Sequence, residues 1–286
     1  MKKLMIATAA LCAAVGASAL ESANTVGYNA GTLHAGDYNM VSIPFAGTTS
    51  ATQSIKNALK VTNPCGAENS DDADNILVWG FDAQGFGGYV TYAYYMDGTG
   101  QWDGWWDASM SEEFDDCAEN AGGIEAGYCF WYLSRGATAP TVTVSGAVAD
   151  QDDISFTLKT GDYNMICDPF PVNLKLNSWV DPTGTSTAVT GDRQVDWGSP
   201  LGAETSTAAD NILVWGFDDK GNGIYTTYAY YADGTGEWDG WWDDSMTYTF
   251  EQVSGNENGL PVGATFWYLS RKATGSTQTV TFYNPL

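Results

Sequence analysis

Strand-like alternation of apolar and polar residues recurs along the chain. The clearest examples are PTVTVSGAV at 140–148 and TQTVTFYNPL at 277–286. Successive side chains of a strand point to opposite faces of a sheet, so this alternation predicts strands with one buried face. YNMVSIPF at 38–45 and YNMICDPF at 163–170 also favour strands, each stopped by a proline.

A helical period occurs at residues 52–60. Ile55, Ala58 and Leu59 have the i, i+3, i+4 spacing of one helix face and predict a short helix. The composition otherwise favours strands and turns, since the chain has 33 Gly, 16 Tyr and 12 Trp. The pattern therefore predicts an all-β protein with little helix.

Residues 75–107 predict a three-stranded antiparallel meander. NILVWGF is typical of a buried strand, YVTYAYYM of its neighbour and QWDGWWD of a return strand. The connecting stretches DAQGFGG and DGTG are typical of turns, because Asp and Gly tolerate the backbone conformations that tight turns need.

The chain contains this pattern twice. Residues 74–107 recur at 210–243 with 27 of 34 positions identical, and FWYLSR at 130–135 recurs at 266–271. GDYNM at 36–40 recurs 125 rather than 136 residues later, so the second copy contains an insertion of 136 − 125 = 11 residues.

We therefore expect two tandem units of similar fold, residues 20–148 and 149–286, each with at most one short helix. Each has a normal domain size. The stretch 181–200 is predicted to hold the insertion as a surface loop. The short polar linker VADQDD leaves little freedom between the units, so we expect them to touch.

The N-terminal residues 1–19 have the pattern of a signal peptide. Lys2 and Lys3 precede the apolar run LMIATAALCAAVGA, and ASA at 17–19 fits the small-residue cleavage rule, which makes Leu20 the first mature residue. No later segment is apolar enough to cross a membrane. The pattern predicts an exported protein, extracellular or at the cell surface, with the periplasm left open, and no membrane insertion.

Both units begin and end with the same short motifs. The shared residues are Gly36, Tyr38, Asn39, Met40, Val41, Ser42, Pro44, Gly127, Phe130 and Trp131 in the first unit, and Gly161, Tyr163, Asn164, Met165, Ile166, Pro169, Gly263, Phe266 and Trp267 in the second. They resemble a class of secreted bacterial β-modules of uncharacterised function, which open with G-[WY]-N-[ML]-[VI]-S-x-P and close with G-x-x-F-W. Cys167 departs from the serine of this motif. The resemblance covers nearly all of the mature chain and implies two tandem β-sandwich-like domains with no known catalytic residues.

The charge is strongly acidic. The whole chain has a formal charge of −24, and without the two lysines of the signal it has 11 − 2 = 9 Lys and Arg against 35 Asp and Glu. This balance argues against nucleic acid and anionic membranes as partners, because phosphate contacts come from Lys and Arg. It suits an acidic soluble surface or a cation-binding one.

The cysteines predict disulfides. Cys12 lies in the signal, which leaves four, and an even number in an exported chain favours two bridges. We predict Cys65–Cys117 within the first unit, which leaves Cys129–Cys167 to bridge the units. The alternative keeps all bridging inside the first unit and leaves Cys167 free. The spacings do not resemble a zinc site.

Six tryptophans are candidate ligand-binding residues: Trp102, Trp105, Trp106, Trp238, Trp241 and Trp242. Flat rings could stack on sugars, and two copies would add avidity. The competing interpretation is cross-strand packing inside a sheet. Alternation places Trp102 and Trp106 on one face of their strand and Trp105 on the other, and we expect Trp105 and Trp241 to be the exposed rings.

Six aspartates are weaker candidate metal ligands: Asp97, Asp103, Asp107, Asp233, Asp239 and Asp243. Carboxylates on a glycine-rich hairpin could hold Ca²⁺, which takes six to eight oxygen ligands. The spacing is unlike that of an EF-hand loop, and Asp97 and Asp233 also fit simple turns. No pair of acids stands out as a glycosidase pair. No other cofactor is expected.

The sequence therefore favours a non-catalytic structural or assembly protein of the cell surface or extracellular matrix, which pairs with itself as fibre or layer. Strands at the two ends of the mature chain could lie at sheet edges and pair with another copy, against the alternative of ordinary pairing within their own domains. The runner-up is a protein that binds surface polysaccharide through the exposed Trp and Tyr of both repeats. A secreted hydrolase is the third and least favoured reading.

Overall fold

A computed structural model describes residues 26–178, 194–236 and 238–285. The predicted signal peptide, residues 1–19, lies outside the described residues, as does most of the predicted loop at 181–200. The described chain is all-β, as predicted, and builds two sandwich-like units.

The first unit pairs ten strands among themselves. They are β1 (Val26–Thr32), β2 (Tyr38–Ile43), β3 (Thr52–Gln53), β4 (Leu59–Thr62), β5 (Asn75–Phe81), β6 (Gly87–Tyr95), β7 (Gly104–Asp107), β8 (Ile124–Glu125), β9 (Tyr128–Leu133) and β10 (Thr141–Ala147). A five-stranded sheet of order β2-β9-β5-β6-β7 faces a three-stranded sheet of order β1-β10-β4, and β3 pairs with β8.

The second unit has eight strands in the described ranges. They are β11 (Asp153–Lys159), β12 (Tyr163–Cys167), β13 (Val195–Asp196), β14 (Asn211–Phe217), β15 (Gly223–Tyr231), β16 (Gly240–Asp243), β17 (Thr265–Leu269) and β18 (Thr277–Tyr283). Its five-stranded sheet, β12-β17-β14-β15-β16, repeats the order of the first, and β11-β18-β13 form the smaller sheet.

The predicted meander is confirmed in both units. β5, β6 and β7 are antiparallel neighbours, with Asn75 opposite Ala93 and Tyr95 opposite Gly104. Alternate residues in the central part of these strands pack into the core, where Ile76 and Tyr92 are at most 1% exposed. Burial of this apolar face is the main stabilising contribution of each sandwich.

The predicted helix is much shorter than residues 52–60. The helix α1 spans Ile55–Ala58, and its N-cap Ser54 accepts a hydrogen bond from the Asn57 N–H at 3.3 Å. The flanking residues are taken by strands, since Thr52–Gln53 pairs with β8 and Leu59–Thr62 with β10. Sheet pairing therefore overrides the local helical period on both sides.

The end of the predicted surface loop is instead part of the core. Val195 pairs with Phe282 in β18, and Trp197 is only 1% exposed. The Trp197 indole N–H donates to Leu176 O at 2.8 Å, and its ring lies 5.1 Å from that of Trp241. Because its sequence neighbours are polar, Trp197 was predicted to lie in a surface loop, although it is part of the core.

The two chain ends behave differently. β1 is an edge strand of its sheet, in line with the sequence pattern. β18 is central, because β11 pairs with one side of it and β13 with the other. Of the two alternatives for the C-terminal strand, ordinary pairing within its own domain is the one observed, since β13 covers the edge that β11 leaves open.

The outer faces of the two five-stranded sheets contact each other reciprocally. The indole N–H of Trp79 donates to Tyr163 O at 3.2 Å, and that of Trp215 donates to Tyr38 O at 3.0 Å. Each of these rings also meets a tryptophan of the other unit edge to face at 5.2 Å, in the pairs Trp79–Trp267 and Trp131–Trp215. Trp79 and Trp215, which hold the same position in the two copies of NILVWGF, thus join the units.

A second reciprocal contact flanks these tryptophans. His34 stacks on Phe217 with ring centroids 3.4 Å apart, while Lys159 lies 4.3 Å above the ring of Phe81. His34 and Lys159 occupy corresponding positions in the two repeats. The chain's one histidine therefore serves the contact between the units.

Candidate functional site

An open pocket lies at the outer end of the first five-stranded sheet. Tyr95, Trp102, Trp106 and Met110 line it, and its volume is about 270 Å³. Tyr95 ends β6, Trp106 lies opposite Ala93 in β7, and Trp102 precedes β7 with 48% of its surface exposed. We call these four residues the aromatic cleft.

The rings of the cleft are inclined to one another rather than flat. Trp102 and Trp106 have centroids 6.3 Å apart at 70°, and Tyr95 and Trp106 have centroids 5.6 Å apart at 55°. The Trp106 indole N–H donates to Trp102 O at 3.0 Å, which ties the two residues together. The rings form the walls of a cup rather than a platform.

Asp107 shapes the loop that carries Met110. Its carboxylate accepts backbone hydrogen bonds from Ser111 at 2.6 Å and Glu112 at 2.8 Å. Burial raises the pKa of the Asp107 carboxyl, but hydrogen bonds led by that of Ser109 outweigh burial and lower this pKa to about 2. Met110 has a φ of 55°, a conformation that few side chains adopt and that this turn holds in place.

The second unit repeats the ring arrangement of the cleft. Trp238 is 55% exposed, lies 6.5 Å from Trp242 at 64°, and accepts the Trp242 indole N–H at 3.1 Å. Tyr231 lies 5.5 Å from Trp242 at 51°. Met246 repeats the positive φ, at 54°, in a loop held by Asp243. We call Tyr231, Trp238, Trp242 and Met246 the second aromatic cleft.

Two of the six candidate tryptophans are not exposed, contrary to the prediction. Trp105 is 4% and Trp241 0% exposed. The alternation correctly separated Trp105 from its neighbours, but the assignment of the exposed face is wrong. The reason is that Trp105 packs in the core, edge to face on Tyr94 at 5.2 Å and on Tyr132 at 5.7 Å.

The candidate calcium ligands are not assembled into a site. Among the residues that the structure describes, no three His, Cys, Asp or Glu side chains converge to hold a metal. Asp97 accepts hydrogen bonds from the backbone and hydroxyl of Thr99 at 2.8 and 2.7 Å, and Asp233 does the same with Thr235. Asp107 and Asp243 hold their own turns, and Asp103 and Asp239 are exposed.

Carboxylates nevertheless lie beside the tyrosine of each cleft. Ala67 forms an isolated bridge with Tyr95, which places the exposed Glu68 beside the end of β6. Partial desolvation, and then the negative charges of Asp97 and Glu68, raise the pKa of the Tyr95 hydroxyl. In the second cleft, desolvation and the charges of the corresponding residues raise the pKa of the tyrosine hydroxyl in the same way.

A buried carboxylate that the sequence analysis did not single out organises the core. Asp74 accepts hydrogen bonds from the Tyr132 hydroxyl at 2.6 Å, the Arg135 N–H at 2.6 Å and the Cys65 N–H at 2.9 Å. Asp210 repeats this network in the second unit. The available signal was that the sequences DN and FWYLSR both recur in the two copies. The aspartate of DN holds residues of FWYLSR in place, so its role is structural.

All four described cysteines are free thiols, so the predicted Cys65–Cys117 bond is not formed. Cys65 donates to Asp72 O, and Cys117 is buried near Glu113. Cys129 and Cys167 meet across the contact between the units, and the hydrogen bond between them, followed by burial, raises the pKa of the Cys167 thiol. The second predicted pair is therefore adjacent but not bonded.

No helix in the described ranges is long and apolar enough to cross a membrane. In comparisons with protein-family models, curated proteins and solved structures, the chain matches none of them.

Proposed function

We propose that the protein is a non-catalytic, exported binding protein that holds saccharide chains in its two aromatic clefts. The observation that carries this proposal is the pair of exposed tryptophans. Trp102 is 48% and Trp238 55% exposed, and both lie outside the two buried cores. A large ring that contributes little to the core but occurs in both copies favours a partner outside the chain.

The size and chemistry of the cleft support a sugar ring as ligand. A volume of about 270 Å³ is near the lower end of ligand pockets, so it suits one ring of a chain rather than a large compact molecule. The lining is aromatic apart from Met110, whose adaptable thioether fills irregular gaps. The apolar face of a pyranose can pack on Trp102 or Trp106.

The use of the nearby acids supports a non-catalytic role. Hydrolysis of a glycosidic bond needs two carboxyl groups that face each other across the bond. Asp97 and Asp107 each accept hydrogen bonds from their own turns, which ties their orientation to the loop. Two clefts with closely similar ring arrangements on one chain also favour avidity over one active site.

The test removes both exposed rings. The double variant Trp102→Ala plus Trp238→Ala is compared with the wild type by pull-down on insoluble cellulose and chitin, and by affinity electrophoresis on soluble glucans and mannans. An aromatic anchor typically contributes about 2 kcal/mol to binding, so each cleft is expected to lose affinity ~30-fold. Tyr28→Ala is the matched control, because Tyr28 is 77% exposed on β1, away from the clefts. Retention of all polysaccharide by the double variant would refute the proposal.

Self-assembly is a second candidate, favoured by one specific feature. Among the described residues, one edge of β1 pairs with no other strand, and Val26 and Tyr28 are 63% and 77% exposed. Such an edge is a template for another strand, and calcium would screen the repulsion between acidic copies. Negative-stain electron microscopy with calcium and with chelator should show fibres or layers that Tyr28→Lys abolishes. Monodisperse particles in both conditions would remove this candidate.

A further inference from the structure

The two clefts share an electrostatic feature that packing does not require. Three carboxylates recur at corresponding positions beside each cleft: Glu68, Asp97 and Asp103 in the first unit, and Glu204, Asp233 and Asp239 in the second. The bridges of Ala67 to Tyr95 and of Ala203 to Tyr231 place the glutamates next to the cleft tyrosines. The two glutamates are exposed, as are Asp103 and Asp239.

Few basic residues lie near these acids in the described part of the chain. Lys56 reaches Gly104, which follows Asp103, but forms its ion pair with Glu113. The sequence from 61 to 134 contains no Lys, Arg or His, and the sequence from 201 to 250 contains only Lys220. Lys220 lies in the turn between β14 and β15, whereas the second cleft lies at the opposite end of β15. Each cleft therefore combines an aromatic cup with a negative rim.

This combination suits a cation. An ammonium group within about 6 Å of the face of Trp or Tyr is attracted by the ring quadrupole, and the attraction grows when water is excluded. Rings inclined at 55° and 70° can present more than one face to the same group. A carboxylate such as Glu68 adds Coulomb attraction and repels an acidic sugar.

We propose that both aromatic clefts select saccharide chains whose rings carry protonated amino groups. This rests on the proposed function, since it names the class of saccharide that the clefts take. The sugar ring packs on the exposed tryptophan, and its ammonium group lies between the tilted rings and the carboxylate rim. Neutral saccharides keep only the packing contribution, and acidic saccharides are excluded by charge.

The experiment compares three hexasaccharides with the same β-1,4 linkage by titration calorimetry at pH 5.5. They are the hexamers of glucosamine, N-acetylglucosamine and glucose, of which the first carries ammonium groups. We expect the glucosamine hexamer to bind at least ~10-fold more tightly than the other two, which corresponds to about 1.4 kcal/mol. This preference should fall when the salt is raised from 50 to 300 mM and at pH 8.5, where the amine loses its proton.

A charge variant separates the rim from the rings. Glu68→Gln plus Glu204→Gln should lower the affinity for the glucosamine hexamer ~3- to 10-fold and leave the N-acetylglucosamine hexamer unaffected. Both glutamates are exposed, so the fold should be retained. Glu125→Gln is the matched control, because Glu125 is exposed on β8, away from the clefts.

The outcomes distinguish this inference from the function on which it rests. Equal affinity for the three hexamers, or weaker binding of the glucosamine hexamer, overturns the cationic preference. If that binding still depends on Trp102 and Trp238, the saccharide function survives. If no saccharide binds, both the inference and the proposed function fail. An unchanged preference in the double glutamine variant would overturn the assignment of the rim.

Discussion

A buried carboxyl in the second unit gives the sharpest stability prediction. Asp168 is 3% exposed, and its Oδ1 accepts the Phe170 N–H at 2.9 Å, while its Oδ2 has no hydrogen-bond partner among the described residues. The corresponding residue of the first unit is Ile43, which is fully buried. Burial raises the pKa of Asp168 to about 7, and the hydrogen bond from Phe170 offsets this only in part. The Cys167 thiol is an ionisable neighbour of Asp168.

The sign and size of the effect follow from linkage. The folded state keeps the Asp168 proton up to about pH 7, whereas the unfolded chain loses it near the ordinary pKa of 3.8. The contribution of Asp168 to stability is therefore greatest below pH 4, falls between pH 4 and 7, and stays reduced above pH 7. A rise of about three pKa units at ~1.4 kcal/mol each gives an upper figure of about 4 kcal/mol.

Asp168→Asn should remove this loss. The amide oxygen can keep the hydrogen bond from Phe170 and carries no charge to desolvate, so we expect the variant to be ~1–4 kcal/mol more stable at pH 8. Near pH 4 the two proteins should differ little. Urea unfolding followed by tryptophan fluorescence at both pH values measures this difference, and other carboxyls cancel because both proteins share them.

The control is Asp153→Asn, a change of the same chemistry on an exposed residue of edge strand β11. It should alter the free energy of unfolding by less than about 0.5 kcal/mol at either pH. The reasoning would be refuted if Asp168→Asn lowered the free energy of unfolding at pH 8. It would also be refuted if the variant kept the pH dependence of the wild type, since the buried carboxylate would then not destabilise the fold.

Three further results are expected. Tyr268→Phe should cost ~1.5–3 kcal/mol in urea unfolding, because its hydroxyl donates to the buried carboxylate of Asp210 at 2.8 Å; a cost near zero would contradict this network. Trp197→Ala should cost ~3–5 kcal/mol in the same assay, since its ring is 1% exposed in the core, and a surface-like cost would contradict this. Diamide, which takes up two hydrogens as two thiols join, should link Cys129 to Cys167, because these thiols are in contact. Peptide mapping by mass spectrometry without reductant would detect the link, and its absence would contradict that contact.

Much of the fold was predictable because its signals are local. The alternation at 277–286 and the turn residues of DGTG predicted β18 and the β6–β7 connection, since side-chain period and backbone preference act over a few residues. The helix at 52–60 was overestimated, because pairing of its two ends with other strands competes with helical spacing. Trp197 was missed because its buried partners lie far away in the sequence.

The candidate site was predictable in composition but not in orientation. The sequence singled out three tryptophans in each unit. Trp102 and Trp106 line the first cleft, and Trp238 and Trp242 form the second. A period of two separates two faces of a strand but does not say which face meets another sheet. The packing of β7 beside Tyr94 decided that Trp105 is buried and Trp102 exposed.

By itself, the sequence determined the β-class, the duplication, the positions of most strands and turns, and the acidic charge that surrounds the clefts. Only the tertiary structure decided which aromatic face is open, that Trp79 and Trp215 join the units, and that Cys129 lies against Cys167. The physical reason is that strand period, turn chemistry and charge belong to neighbouring residues. Burial and contact depend on partners that only folding brings together, from 167 − 129 = 38 residues apart for the two cysteines to 267 − 79 = 188 for Trp79 and Trp267. The free energy of those contacts cannot be assigned until the sheets are packed.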